Sequence, residues 1–226
     1  FFETTARLLH VAPERCFLKR FEKLPALDYV TADLESPLAK VKMDIQRIPF
    51  PDGEFDVIFC NHILEHVDDD RRAMREMYRV MRPGGWGIML SPVNTERETT
   101  YEDPSITDPA ERERHFGQKD HLRDYGRDYG RRLSEAGFDV EEIDYVRSLS
   151  PEAVKLYGLR SEIVYVVRKR SERATVRDPK HREMKDQRYG RKKDSAACCA
   201  GEYRVFRVRS LLRLAVRSVE MVRYES

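Results

Sequence analysis

The sequence predicts an α/β protein: a doubly wound, mostly parallel seven-stranded sheet with an antiparallel edge strand. Three observations predict it. Short apolar runs alternate with helix-like stretches from Arg7 to Leu90. Phe55 to Cys60 and Trp86 to Leu90 read as buried strands on either side of a helix. The last two strand-like runs, Asp139 to Tyr145 and Ile163 to Val167, are joined without a long amphipathic crossover, which suits an antiparallel pair at the sheet edge.

Each element has a local reason. Arg7 to Val11 is a short apolar run suited to a buried first strand, and Glu14 to Lys23 has helical spacing with Phe17, Leu18 and Phe21 on one face. Leu27 to Ala32 alternates and is rich in strand formers, and Val41 to Asp44 is a brief third strand. Two prolines and Asp52-Gly53 make Ile48 to Gly53 a turn. After the fourth strand, Asp68-Asp69-Asp70 supplies a cap and negative charge at a helix start, and Met74, Met77, Tyr78 and Met81 line the inner face. Pro83-Gly84-Gly85 then stops that helix before the fifth strand. A helix from Tyr125 to Ala136 is closed by Gly137, and Ser150-Pro151 opens a short one between the last two strands. The polar segment from Val93 to Asp124 shows no clear periodicity and is long for an idle connection.

Composition bounds the rest. The 226 residues, 40% hydrophobic, suit one domain with an appendage, and no apolar run approaches a membrane span. The net charge of +2 hides an asymmetry: Arg168 onward carries 18 Lys+Arg against 8 Asp+Glu, leaving 24 against 32 before it. An acidic domain over residues 1–169 with a basic extension over 170–226 follows. Cys16, Cys60, Cys198 and Cys199 lack zinc-clip spacing, so a reducing cytoplasm is the plain reading. The chain opens at Phe1 without a methionine and runs almost directly into a strand, which points to a truncated amino terminus. In the extension, Val205, Val208, Leu211, Leu212, Ala215, Val219 and Val222 share a helical face among arginines. Such a face can lie on anionic membrane or contact phosphates, but no aromatic platform or nucleic-acid motif accompanies it. A weakly ordered extension is the preferred reading, and no function is drawn from it.

The run Phe55 to Val67, ending in Leu64-Glu65-His66-Val67, together with Arg82-Pro83-Gly84-Gly85-Trp86, resembles the second half of a class I S-adenosylmethionine-dependent methyltransferase domain of the type 11-like kind. Leu9-His10-Val11-Ala12-Pro13-Glu14 and Phe116 to Arg123 are similar to stretches of one methyltransferase-like subfamily, and the resemblance covers residues 7 to 169. It implies a Rossmann-like fold, S-adenosyl-L-methionine as cofactor, and methyl transfer to a small-molecule acceptor. Asp33, ending the second strand, would hold the ribose hydroxyls, and Asp44 with Ile45 would read adenine. Either aspartate is otherwise a turn carboxylate. Asn61 and His62 would flank the methionine moiety, while Glu65 and His66 either fix the loop or touch ligand. The departure lies in the first loop, where the family has glycines and this chain has none. Either His10, Ala12 and Glu14 form a specialised cofactor loop, with Glu14 meeting the cofactor's positive charge, or cofactor binding is lost and the chain is a binding or regulatory protein.

The acceptor side falls in Val93 to Asp124. His121 beside Asp120 forms a candidate oriented base, His115 a second candidate, and Tyr101, Gln118 and Arg123 are candidate acceptor contacts. The bland alternative is a lid held by its own salt bridges. No metal is assigned, because neither a helical His-x-x-x-His pair nor a compact ligand set is present. The acceptor atom and the oligomeric state have no signature, and methylation of RNA is suggested by the extension alone.

Overall fold

The computed structural model describes residues 5–159 and 162–171. Five parallel strands come first: β1 (Ala6–Val11), β2 (Leu27–Asp33), β3 (Val41–Lys42), β4 (Phe55–Asn61) and β5 (Met81–Leu90). A two-stranded ribbon of β6 (Tyr101–Glu102) and β7 (Arg123–Asp124) follows, and then β8 (Asp139–Asp144) and β9 (Ile163–Arg168). Five helices connect them: α1 (Arg15–Phe21), α2 (Asp70–Val80), α3 (Pro109–Phe116), α4 (Tyr129–Glu135) and α5 (Pro151–Tyr157). The main sheet has seven strands in the order β3-β2-β1-β4-β5-β9-β8. β9 runs antiparallel to both its neighbours, so β8 and β9 form the antiparallel pair at the sheet edge and β8 itself runs with the parallel strands. Strand order reverses between β1 and β4, and ligands in doubly wound sheets sit beyond the carboxyl ends at such a reversal.

β1 and β4 are buried along nearly their whole length, as central parallel strands covered on both faces must be. α2 starts where the Asp69 carboxylate accepts the Arg72 amide at 2.8 Å, and it buries Ala73, Met74, Met77 and Val80. Met81, expected on that helix face, is instead extended and pairs with Phe55 as the first residue of β5. Pro83-Gly84-Gly85 therefore lies within an irregular β5 rather than ahead of it, where the β4–β5 register shifts. Gly87, further along, must lack a side chain: a Cβ there would stand 2.4 Å from the Ile58 carbonyl oxygen of the neighbouring strand. Gly87→Ala is expected to lower stability by about 1–3 kcal/mol, read from its urea unfolding midpoint.

The segment after β5 holds more structure than its sequence suggests. Asp108 caps α3 through the amides of Ala110 and Glu111, and Gly117 closes it in the left-handed conformation with φ 89°. α3 exposes most of its surface, so it leaves no apolar period to read. The helix expected from Tyr125 starts at Tyr129, because Tyr125 bridges Val93 and its carbonyl accepts the Asn94 amide at 2.7 Å. Tyr125, Tyr129 and Leu133 then complete a core with Leu9, Ile58, Met74 and Met77. The predicted helical face over Tyr203 to Tyr224 and the Cys198-Cys199 pair lie outside the described residues. Among the described residues, no helix is long and apolar enough to cross a membrane.

Candidate active site

The glycine-free loop after β1 adopts the conformation a glycine would favour. Ala12 has φ 47°, and its amide donates to the Ala32 carbonyl at 2.8 Å, which ties the loop to the end of β2. Glu14 is the N-cap residue of α1, but its side chain makes no capping hydrogen bond. Its Oε1 accepts from Asn61 Nδ2 at 3.0 Å, and Oε2 takes a hydrogen bond from His10 Nε2. Because a carboxylate only accepts, the His10 proton sits on Nε2, and Nδ1 accepts the Tyr29 hydroxyl at 2.7 Å. Burial pushes the Tyr29 phenol well above its ordinary range, with the Glu14 charge adding to it, so it remains a donor.

His10 is fully buried, ringed by Phe17, Phe21, Tyr29 and Phe59. This differs from its expected place: His10 is enclosed behind Glu14 and hydrogen-bonds it instead of presenting a polar atom at the surface. Burial alone would raise the Glu14 carboxyl, but hydrogen bonds from His10 and Asn61 outweigh it and hold the group below the usual carboxylate range. The sign follows from linkage. A depressed folded value contributes stability that is present above the unfolded value and lost as pH falls through the folded one. The melting-temperature gap between wild type and Glu14→Gln is therefore expected to close as pH drops through that range, as measured by calorimetric scans.

Asn61 Oδ1 is buried without a hydrogen-bond partner, a cost that a ligand donor would relieve. Asp33 closes β2, and its Oδ1 accepts the amides of Glu35 and Ser36 at 2.8 and 2.7 Å. Asp44 is exposed and accepts the Gln46 amide at 2.8 Å, while Ile45 is buried. His62 has φ 55°, and its Nδ1 stands 3.6 Å from Glu65, whose carboxylate raises the imidazole's affinity for a proton. Glu65 is buried and also accepts the Ser91 hydroxyl at 2.8 Å. A loop in the glycine conformation, an ionised carboxylate and an orphaned amide oxygen at one sheet reversal fit a cationic ligand that brings a hydrogen-bond donor.

The polar constellation of the following segment is divided by the fold. Tyr101 and His115 meet near the surface, hydroxyl to Nδ1 at 3.4 Å, and Gln118 is exposed. Asp120 pairs with His66 at 3.2 Å, not with its sequence neighbour. His121 is buried, and its Nδ1 donates to the Phe116 carbonyl at 3.0 Å, so the expected Asp120–His121 pair does not form. Arg123 is also corrected. Only 3% exposed, it donates to the carbonyls of Leu64, Val67 and Asp68 and to Glu102, so it anchors the loop after β4 rather than an acceptor.

Sequence reasoning missed the partners of that arginine. Asp70 accepts from Tyr125 at 2.7 Å and Arg132 at 3.0 Å, and Glu102 accepts from Arg132 at 2.8 Å. This network joins β6, β7, α2 and α4, elements remote in sequence, and no local spacing signals it.

Residues 9–89 match the family model described as a methyltransferase domain. Over 58 residues the chain is 40% identical to the ubiquinone/menaquinone biosynthesis C-methyltransferase UbiE of Pseudoalteromonas translucida, covering 26% of this chain and 23% of that protein. Over 63 residues it is 38% identical to the ajmaline N-methyltransferase of Rauvolfia serpentina, covering 28% of this chain and 22% of the relative. The chain thus matches about a quarter of the length of these curated relatives. In fold it is similar to the [4+2]-cyclase SpnF, with TM-score 0.51 and 18% identity over 74% of this chain and 76% of the other. It is also similar to the CurJ carbon methyltransferase, with TM-score 0.51 and 16% identity over 74% and 49%.

Proposed function

We propose that this chain, whose residues 9–89 match a methyltransferase-domain model, transfers a methyl group from S-adenosylmethionine to a small-molecule acceptor at the carboxyl edge of the sheet. The observation that carries the reading is the Glu14–Asn61 pair at the strand reversal, within the matched residues 9–89. Ala12 supports it over a chain that has lost the cofactor, since its positive φ preserves the loop shape despite the missing glycines.

The bound cofactor supplies a methyl group made electrophilic by its sulfonium. Everything else is alignment: the protein brings acceptor and methyl into line and excludes water. Glu14, ionised and held by Asn61 and His10, meets the positive end of the cofactor. Asp33 takes the ribose diol, and Asp44 and the Ile45 amide read the base. On the acceptor side, His115 and Tyr101 face outward and serve as contacts. Should the acceptor lose a proton, His62 is the better placed base. It is half exposed and raised towards protonation by Glu65, whereas His121 is buried. A cytoplasmic location belongs to the same reading. RNA methylation would require residues outside those described.

The deciding experiment is calorimetric titration of the full chain with S-adenosylhomocysteine. One micromolar equivalent is expected, weakened about 10-fold or more in Glu14→Gln through loss of a charge-assisted contact. No heat from a protein that melts cooperatively would leave only the non-catalytic reading.

A further inference from the structure

We propose that Glu65, His66 and His121 form a binding site for a divalent transition-metal ion of the zinc type. The three residues each offer a ligand atom, and these atoms lie within 4.8 Å of one another. His66 and His121 meet edge to face with ring centroids 4.7 Å apart. A tetrahedral zinc site spaces its nitrogen and oxygen ligands by about 3.3–3.5 Å, so side-chain rotations of an ångström or so would gather this set around an ion.

The rings are already set for ligation. His121 Nδ1 lies 3.0 Å from the Phe116 carbonyl oxygen, and His66 Nδ1 lies 3.2 Å from the Asp120 carboxylate. A carbonyl and a carboxylate only accept, so both protons sit on Nδ1 and both Nε2 atoms carry the lone pair that a metal requires. Fixing the far nitrogen with an oxygen acceptor is how proteins orient imidazoles towards metals. The third donor, Glu65, is 1% exposed and is oriented by the Ser91 hydroxyl.

The surrounding backbone holds the ligands in register. The Leu122 amide donates to the Glu65 carbonyl at 2.8 Å, which joins the loop that carries Glu65 and His66 to the segment that carries His121. Arg123 fastens the same loop through three further carbonyls. Two imidazoles with one carboxylate select zinc-type ions over magnesium, which prefers oxygen alone. Three protein ligands leave a fourth position open to water or an acceptor oxygen.

The test uses the full chain, stripped with a chelator, and titrated calorimetrically with Zn²⁺. Spectra of the Co²⁺-substituted protein report the ligands. One equivalent is expected, with a visible cobalt spectrum of nitrogen–oxygen ligation and no thiolate band. It should persist in a Cys198→Ser, Cys199→Ser variant, which removes the thiol pair of the extension. His66→Ala should weaken binding at least about 100-fold. Asp120→Ala, which removes only the exposed orienting oxygen, should weaken it about 10- to 100-fold. A wild-type protein that takes up no zinc, or affinity unchanged in both His66→Ala and Glu65→Gln, would overturn the site. S-adenosylhomocysteine affinity is read on the same samples. Nucleoside binding without zinc binding therefore rejects the metal site and leaves the methyltransferase reading standing.

Discussion

Replacing Asp70 with alanine is expected to remove about 3–5 kcal/mol of folding stability, the largest loss for any single side chain considered. Asp70 is 3% exposed and accepts from the Tyr125 hydroxyl and Arg132, with Arg123 3.9 Å away. Alanine would leave two buried guanidinium groups sharing Glu102, with Asp128 3.5 Å from Arg132 as a further carboxylate beside them. Burial disfavours the charged Arg132, yet its carboxylate partners outweigh that and hold it more firmly protonated than usual, so it cannot escape by losing its proton. The loss should appear in urea unfolding as a lower midpoint with unchanged slope. Asp70→Asn keeps an acceptor for Tyr125 or Arg132 and should cost less than alanine. A loss below about 1 kcal/mol in Asp70→Ala would mean that the network relaxes freely and does not hold the β6–β7 ribbon to α2.

Asp33 carries the largest expected effect on cofactor affinity. A carboxylate that accepts both hydroxyls of a vicinal diol makes two charge-assisted hydrogen bonds, and losing them costs about 3 kcal/mol, or roughly 100-fold in Kd. Alanine alone would be ambiguous, because Asp33 Oδ1 also holds the turn at Glu35 and Ser36. Asp33→Asn resolves this. Its remaining oxygen can keep the turn, while the second acceptor and the charge are gone. S-adenosylhomocysteine affinity should fall in both variants, whereas the melting temperature should fall chiefly in Asp33→Ala. Unchanged affinity in Asp33→Asn would return Asp33 to the role of a turn carboxylate.

The sequence by itself determined those features whose physical cause is local. Apolar runs such as Phe55 to Cys60 mark strands buried on both faces, Asp69 and Asp70 mark the start of α2, and the short link between the last two strands marks the antiparallel pair. The loop from His10 to Glu14 was legible as a departure, though not its outcome, since a positive φ at Ala12 leaves no trace in composition. Even α3 carried its signals, a capping aspartate, a proline and a closing glycine, but its exposed surface gave no period to confirm them.

The tertiary structure alone decided which polar groups are buried and with whom. His10, His121 and Arg123 look alike in sequence as polar residues near a site, yet the fold places all three inside. Neighbours in the chain parted company, with Asp120 turning to His66 and His121 to Phe116. Glu65 and His66 meet His121 because the Leu122 amide and Arg123 bind the loop after β4 to a distant segment. Side-chain chemistry is written in the sequence, but the desolvation and partner geometry that turn it into a site arise only when remote segments pack.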